Sequence, residues 1–276
     1  DPDRLRLLAL NLTGETLIAE SLPLDSSTTP AAALALAAAR IQAWRSSAEL
    51  LGRTILGVGA ALPGIIDPAH GILRSAPHLP AWKNVPVRTL LHAAAGLPVH
   101  IERVTNCIAL AERWFGAAGD AENLLCLHLD QDIDLGLLLG GQIFRGTHNL
   151  AGNVATLPLS ANITLHSLCS PLLSPPTDNP RPSADALATA LCQTLHIAVG
   201  LFDPQAILLT GILAETYPQL LISANDALEA AHRAGHNAEL LTPRVLTDAP
   251  AAGACGMILD AAFDTLPFIT HSRITV

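Results

Sequence analysis

Three carboxylates alternate along Asp130-Gln-Asp-Ile-Asp134, and Arg103 stands where a short apolar run gives way to a helical one. Aspartates at this spacing open an oxygen-ligand loop for calcium, but such a loop also needs a glycine at its sixth position and a glutamate at its twelfth. Leu135 and Gly141 occupy those places, so the spacing reads as an exposed acidic turn. Arg103 has two readings. It donates to an anionic or carbonyl ligand, or it pairs with Glu102, Glu112 or a cleft aspartate. Around it, Arg103-Val104-Thr105 holds no carboxylate, imidazole or thiol, so the corner has no group able to accept a proton. His78 and His148 fall in loops; His100, His128, His196 and His232 are isolated on apolar or helical runs and read as structural or exposed. The five cysteines are odd in number, scattered and mostly in apolar runs, as buried free thiols in a reducing compartment are.

The elements that position these residues follow from hydrophobic periodicity. Residues 96–101 read as a strand entering a buried sheet, and 106–115, with Ile108, Ala109, Ala111 and Trp114 at helical spacing, as the helix after it. A strand-to-helix corner of an α/β protein is a ligand site, because the helix N-terminus offers unpaired N–H groups at the carboxyl edge of the sheet. Before it, 5–12 and 15–23 read as strands joined by a turn at Thr13-Gly14. Ser26 to Pro30 is a helix start, 31–51 a helix, and 55–61 a buried strand. Pro63-Gly64 is a loop beside the cleft, Asp67 to Gly71 a turn, and 86–95 a helix. After the corner come strand 123–129, the acidic turn, strand 136–139, a Gly140-Gly141 hairpin turn and a loop over 160–181. Ser183 caps a helix running to about residue 201. Strand 206–209, helix 218–234, strand 239–246 and helix 251–263 close the chain, and 264–276 is unassigned.

Composition removes several function classes. The 276 residues suffice for one large or two ordinary domains. Half are hydrophobic, yet no run reads as long enough to span a bilayer or as a secretory signal. A net charge of −9 argues against this chain gripping nucleic acid, and 3 % aromatics argues against a stacking platform. The chain begins at Asp1 rather than Met, as a fragment or processed chain does.

Six segments in order resemble the ROK family of bacterial sugar kinases and sugar-responsive repressors. Gly57-Val-Gly-Ala-Ala-Leu-Pro-Gly-Ile-Ile-Asp-Pro68 resembles G-x-G-x-P-G-x-[IV]-D-P, and Ala76-Pro-His-Leu-Pro-Ala-Trp82 resembles P-N-L-P-G-W. Glu102 to Glu112 resembles E-N-D-A-N-A-A-A-L-A-E, and Leu127 to Gly136 stands where the family has L-x-L-G-T-G-I-G-A-G. Phe144 to Asn153 resembles R-G-x-H-G-x-A-G-E, and Leu201 to Gly211 resembles L-D-P-x-x-I-V-[IL]-G-G.

This resemblance implies an actin-like (ribonuclease H-like) two-lobed α/β fold. The lobes would be residues 1–102 and 103–261, with 262–276 returning to the first. The family's first strand and phosphate loop would lie upstream of Asp1. It also implies what has been lost. The kinases' sugar-holding Asn and proton-accepting Asp fall at Arg103 and Val104, and three phosphate-loop glycines have become aspartate. The later sugar-binding Glu and His fall at Asn153 and Thr156, and the zinc motif reduces to Asn162, Thr164 and Cys169. The expected ligand-facing residues are therefore Gly64, His78, Arg103, Asn106, Asn153 and Thr156, with no catalytic residue, no metal and no cofactor. The implied protein is the effector-binding or oligomerisation part of a cytoplasmic ROK-type regulator. It would respond to a sugar-like small molecule and form a homodimer, with no membrane contact. It would meet DNA only through an upstream helix-turn-helix. The alternatives are an ATP-dependent sugar kinase and a pseudokinase scaffold that binds no ligand.

Overall fold

The computed structural model describes residues 3–25, 28–160, 163–174, 181–245 and 248–264. Strands β1 (Arg4–Leu10) and β2 (Thr16–Pro23) form an antiparallel hairpin. Asn11 shapes its turn, since its Oδ1 accepts from the Thr13 and Glu15 N–H groups at 3.0 and 2.9 Å. Helix α1 (Pro30–Trp44) starts as its signal requires: the Thr29 hydroxyl accepts from the Ala32 N–H, and proline opens the first turn. It stops at Trp44, short of residue 51. Ser46 and Ser47 follow, and serine backbones favour local turns over continued helix.

Strand β3 (Val58–Leu62) leads into a hairpin, β4 (Ile65–Asp67) and β5 (Ile72–Ser75), that the turn signal at Asp67 only hinted at. Helix α2 (Val87–Ala95) then feeds β6 (Val99–Arg103), which pairs parallel with β3 from Val58↔Val99 to Leu62↔Arg103. Leu34, Leu73, Val87, Leu91 and Ile101 build the core beneath them. Helix α3 (Val104–Phe115) begins directly at the end of β6.

The second sheet has the order β13-β12-β7-β8-β9. Its members are β7 (Leu124–Leu129), β8 (Ile133–Leu139), β9 (Gln142–Ile143), β12 (Ala206–Thr210) and β13 (Glu239–Leu241). β7 is parallel to β12 and antiparallel to β8. One face carries Leu125, Leu127, Leu129 and Leu137 against α5 (Ala184–Phe202) and α7 (Gln219–Arg233). The other carries Leu124, Cys126 and Leu138 against α3 and α8 (Ala249–Asp264).

Three expectations are corrected here. The acidic segment is not wholly a turn: β8 starts at Ile133, because Ile133 pairs with Leu129 and Asp134 with His128 across the hairpin. The stretch 160–181 is not a loop where it is described. It takes the last residue of β10 (Pro158–Ser160), then β11 (Ile163–Thr164) and α4 (Leu165–Leu173), the helix started by a capping box in which Thr164 and Ser167 satisfy each other's N–H groups. Asn162 and residues 265–276 lie outside the described residues. Finally, α5 is long and apolar enough by length and composition to cross a membrane. Its Leu187, Leu191, Leu195 and Val199 are instead spent in the core, at roughly 1.5–3 kcal/mol of burial each.

Three glycines set the layers at backbone contact. A Cβ on Gly136 of β8 would lie 2.9 Å from the Thr105 carbonyl of α3. One on Gly253 of α8 would lie 1.6 Å from the Cys107 carbonyl, and one on Gly59 of β3 1.8 Å from the Ala254 carbonyl. Gly253→Ala is therefore expected to destabilise the chain by about 2 kcal/mol or more, since overpacking costs about 1–3 kcal/mol. Gly200→Ala, in α5 with open space around the new methyl, is expected to stabilise it by about 0.5 kcal/mol. Urea denaturation of both variants checks the contrast; equal effects would refute the packing argument.

Candidate functional site

Arg103 ends β6, and its backbone passes directly into α3. Its side chain does not point to solvent. Nη1 donates to Asp134 Oδ2 at 2.6 Å and Nη2 to the Ala151 carbonyl at 2.7 Å. The two partners belong to different segments, β8 and the loop after β9, so the planar guanidinium joins three pieces of chain.

Beneath it sits Glu102, 1 % exposed. Its Oε1 accepts from the Arg103 N–H at 2.8 Å and from Asn106 Nδ2 at 2.9 Å, and its Oε2 accepts from Arg145 Nε at 2.7 Å. The buried carboxylate thereby fixes the first turn of α3, where no side chain caps the helix. Asn106 is fully buried and spends its amide on Glu102, leaving its Oδ1 without a partner.

Asp134 is the most strongly perturbed carboxyl of this cluster. Burial pushes its carboxyl up to about 7, against the downward pull of Arg103 and of the Leu135 N–H, while Asp132 and Glu102 push in the same direction as burial. Its Oδ1 is buried without a partner. Asp132 is also raised, first by burial, with His78 opposing and Asp130 adding. Opposite Asp134 on the hairpin, the His128 Nδ1 hydrogen-bonds with Thr210 Oγ1 at 3.0 Å, and burial lowers its pKa against the upward pull of Asp130. Cys169 faces the core of α4, where burial pushes its thiol up to about 12, and the Thr164 hydroxyl caps the helix. Neither side chain is placed to hold zinc.

The remaining expected residues are spread around this cluster. Gly64 has φ +80°, and a Cβ there would lie 2.3 Å from the Ser75 carbonyl, so its glycine serves the approach of two backbones. His78 is exposed, and its Nε2–H donates to the Gln131 carbonyl at 3.0 Å, bringing the loop after β5 to the β7–β8 turn. Asn153 and Thr156 are exposed on the loop after β9. Asn153 follows Gly152, whose carbonyl accepts from the Leu135 N–H at 2.8 Å and whose Cβ position is only 1.7 Å from the Leu135 carbonyl. The structure thus unites Arg103 and Asn106 through Glu102, brings His78 to the same turn, and leaves Asn153 and Thr156 at the rim. The residues missing from the sequence reading are Arg145 and a buried Asp134. Arg145 opens the R-G-x-H segment, and Asp134 shares a strand face with His128; either pattern was a usable signal.

The model of the ROK family matches residues 3–170. A putative xylose repressor from Caldicellulosiruptor sp. is 36 % identical over 108 residues, 39 % of this chain and 27 % of that protein. The chain thus matches about a quarter of that relative's length. The ROK hexokinase of Thermus thermophilus superposes with a TM-score of 0.72 over 96 % of this chain and 97 % of that one, at 23 % identity. A ROK family transcriptional regulator, described as a homologue of the E. coli Mlc protein, gives 0.69 over 94 % and 76 %, at 19 %. These structural likenesses are likenesses of fold. The fold is the actin-like two-lobed α/β fold.

Because burial raises the folded-state pKa of Asp134 above the usual 3.8, its contribution to stability is fully present below about pH 4 and is lost as the pH rises to about 7. Asp134→Asn keeps the acceptor for Arg103 and removes the titration. The melting temperature of the unaltered chain is expected to fall relative to that of Asp134→Asn between pH 5 and pH 8. A difference that stays flat over that range would refute the raised pKa.

Proposed function

The chain belongs to the ROK family, and from that premise we propose that it is the effector-binding and oligomerisation part of a transcriptional regulator that transfers no phosphate. The observation that carries this reading is Val104 as the first residue of α3, where the resemblance places the kinases' proton-accepting aspartate. A valine accepts no proton. Glu102, the carboxylate two residues before it, is already committed to three donors. The likeness to a putative xylose repressor supports the regulator side of the family.

The effector in this reading is a sugar or related hydroxylated molecule. Asn106 Oδ1 and Asp134 Oδ1 are buried acceptors without donors, and hydroxyl groups supply donors. Binding would alter the lobe or dimer geometry of a cytoplasmic homodimer and so the spacing of two DNA-reading heads. Those heads would be helix-turn-helix modules outside this chain, whose net charge of −9 suits a partner other than DNA. The proposed lobes are 1–102 and 103–261, meeting at the Arg103 corner, with 262–276 assigned to the first.

One observation favours a second reading, an ATP-dependent sugar kinase. Asp134 is a cleft carboxyl pushed up to about 7, the range in which a general base works best. The two readings separate in one experiment. The chain is melted with D-xylose, D-glucose, N-acetylglucosamine, D-gluconate and ATP–magnesium, and ADP release is followed with each sugar. A sugar at a hundredfold excess over its Kd is expected to raise Tm by roughly 5–10 °C, with no ADP release. ADP release above the enzyme-free rate would overturn the regulator reading.

A further inference from the structure

We propose that β1 and β3 frame an acceptor site for one extended peptide strand, apolar on both faces, which inserts between them and completes their sheet. Among the described residues β1 pairs only with β2 and β3 only with β6, in two separate two-stranded sheets. Yet the two sheets share both covering layers. Leu8 and Leu10 of β1 and Ala61 of β3 pack into the cluster around α3 and α8. Leu5 and Leu7 of β1 and Val58 and Ala60 of β3 pack into the cluster around α1 and α2. Along α8, Cys255 lies at the Leu10 backbone while its neighbour Ala254 lies against Gly59. Two strands that share a layer without bonding stand more than one ladder spacing, about 4.8 Å, apart. A single helix, about 10–12 Å across, covers both, so the gap between them admits one strand and not two.

Direction and backbone polarity fit the same occupant. Arg6 reaches Asp248, just before α8, and Leu10 lies at Cys255, so β1 runs with α8. Gly59 lies at Ala254 and Gly57 at Ile258, so β3 runs against it. An inserted strand is therefore parallel to one neighbour and antiparallel to the other. The Asp3 carbonyl accepts from the Leu24 N–H, and alternation then turns Leu5 and Leu7 to β2 and Arg6 and Leu8 to the gap. The Val58 N–H donates to the Pro98 carbonyl, so Ala60 and Leu62 face β6 while Gly59 and Ala61 face the gap. Leu7 to Leu10 and Val58 to Leu62 are also unbroken apolar runs, the pattern of strands inside a sheet covered on both faces. Leu7 to Leu10 and Val58 to Ala61 are nevertheless only half-buried, whereas β7, with a neighbour on each edge, is buried everywhere but at His128.

The acceptor site stands apart from the effector reading, since it follows from strand pairing alone. Amide exchange is followed residue by residue by NMR on the full chain. It is measured alone, with an excess of a nine-residue peptide of valine and glycine ended by lysines, and with the same peptide N-methylated at alternate residues. In the chain alone, the Leu8, Gly59 and Ala61 amides are expected to exchange at least tenfold faster than those of Leu7 and Ala60. The peptide is expected to slow the first three at least tenfold and the other two less than twofold. The N-methylated peptide, which has lost the donors of one edge, is expected to slow none of them. Equal exchange of the two sets in the chain alone would overturn the site, because no edge would then be open. A peptide that slows none of the three, or slows all five alike, would overturn it as well. Protection that grows with protein concentration in the absence of peptide would replace the peptide strand with a second copy of this chain.

Discussion

A carboxylate buried to 1 % exposure governs the β6–α3 corner. Removing a charge from water costs several kcal/mol unless donors replace the lost solvent. Glu102 recovers that cost from three donors, and each belongs to a different structural demand: the Arg103 N–H to the exit of β6, the Asn106 amide to the first turns of α3, and Arg145 to the loop after β9. The negative charge also lies at the N-terminus of α3, where the helix dipole favours it. Strand end, helix start and flanking loop are therefore set together, and Arg103 is aimed at β8 as a consequence of where Glu102 must sit.

Sterics set what electrostatics leaves open. Gly136, Gly253 and Gly59 let β8, α3, α8 and β3 approach to backbone distance. Close layers make the polar crossing short, since an arginine fork spans only a few ångströms beyond its own strand. Glu112 does the same work at the far end of α3. Its Oε1 accepts from the Arg244 and Val245 N–H groups and its Oε2 from the Ala117 N–H, which ties the segment leading into α8 to the helix that α8 packs on. The two carboxylates ending one helix hold opposite sides of the molecule to it.

Much of this was readable from residue order. The β6–α3 corner, the Thr29 and Ser183 helix starts and the Gly140-Gly141 turn carry local signals, and each formed within a few residues of its expected place. The misreadings share one physical origin. The chain at 160–174 looks like loop because serine and proline are poor helix residues, yet a capping box and the burial of Leu165, Leu168 and Cys169 outweigh propensity. Asp134 looks like a surface acid because aspartates usually are, yet strand pairing with β7 places it on the face that meets α3. Arg103 left two readings open. The structure gives it a cleft aspartate as partner, a pairing 31 residues apart that no local spacing encodes.

The exchange of residues at the corner has a direction. Relative to the pattern the sequence resembles, a carboxylate has left the start of α3 and carboxylates have entered the β7–β8 turn, while a cation has taken the position between them. Asp132 and Asp134 are both raised by burial, and each is raised further by a neighbouring carboxylate. An anion such as a polyphosphate beside them adds the same sign of charge in a place with little water to screen it, and so costs more than the same anion at a glycine loop. A hydroxyl adds no charge and supplies the donor that Asp134 Oδ1 and Asn106 Oδ1 lack. In the proposed reading, the same substitutions that take the proton acceptor from the start of α3 would also favour neutral, hydroxylated ligands over nucleotides at this corner.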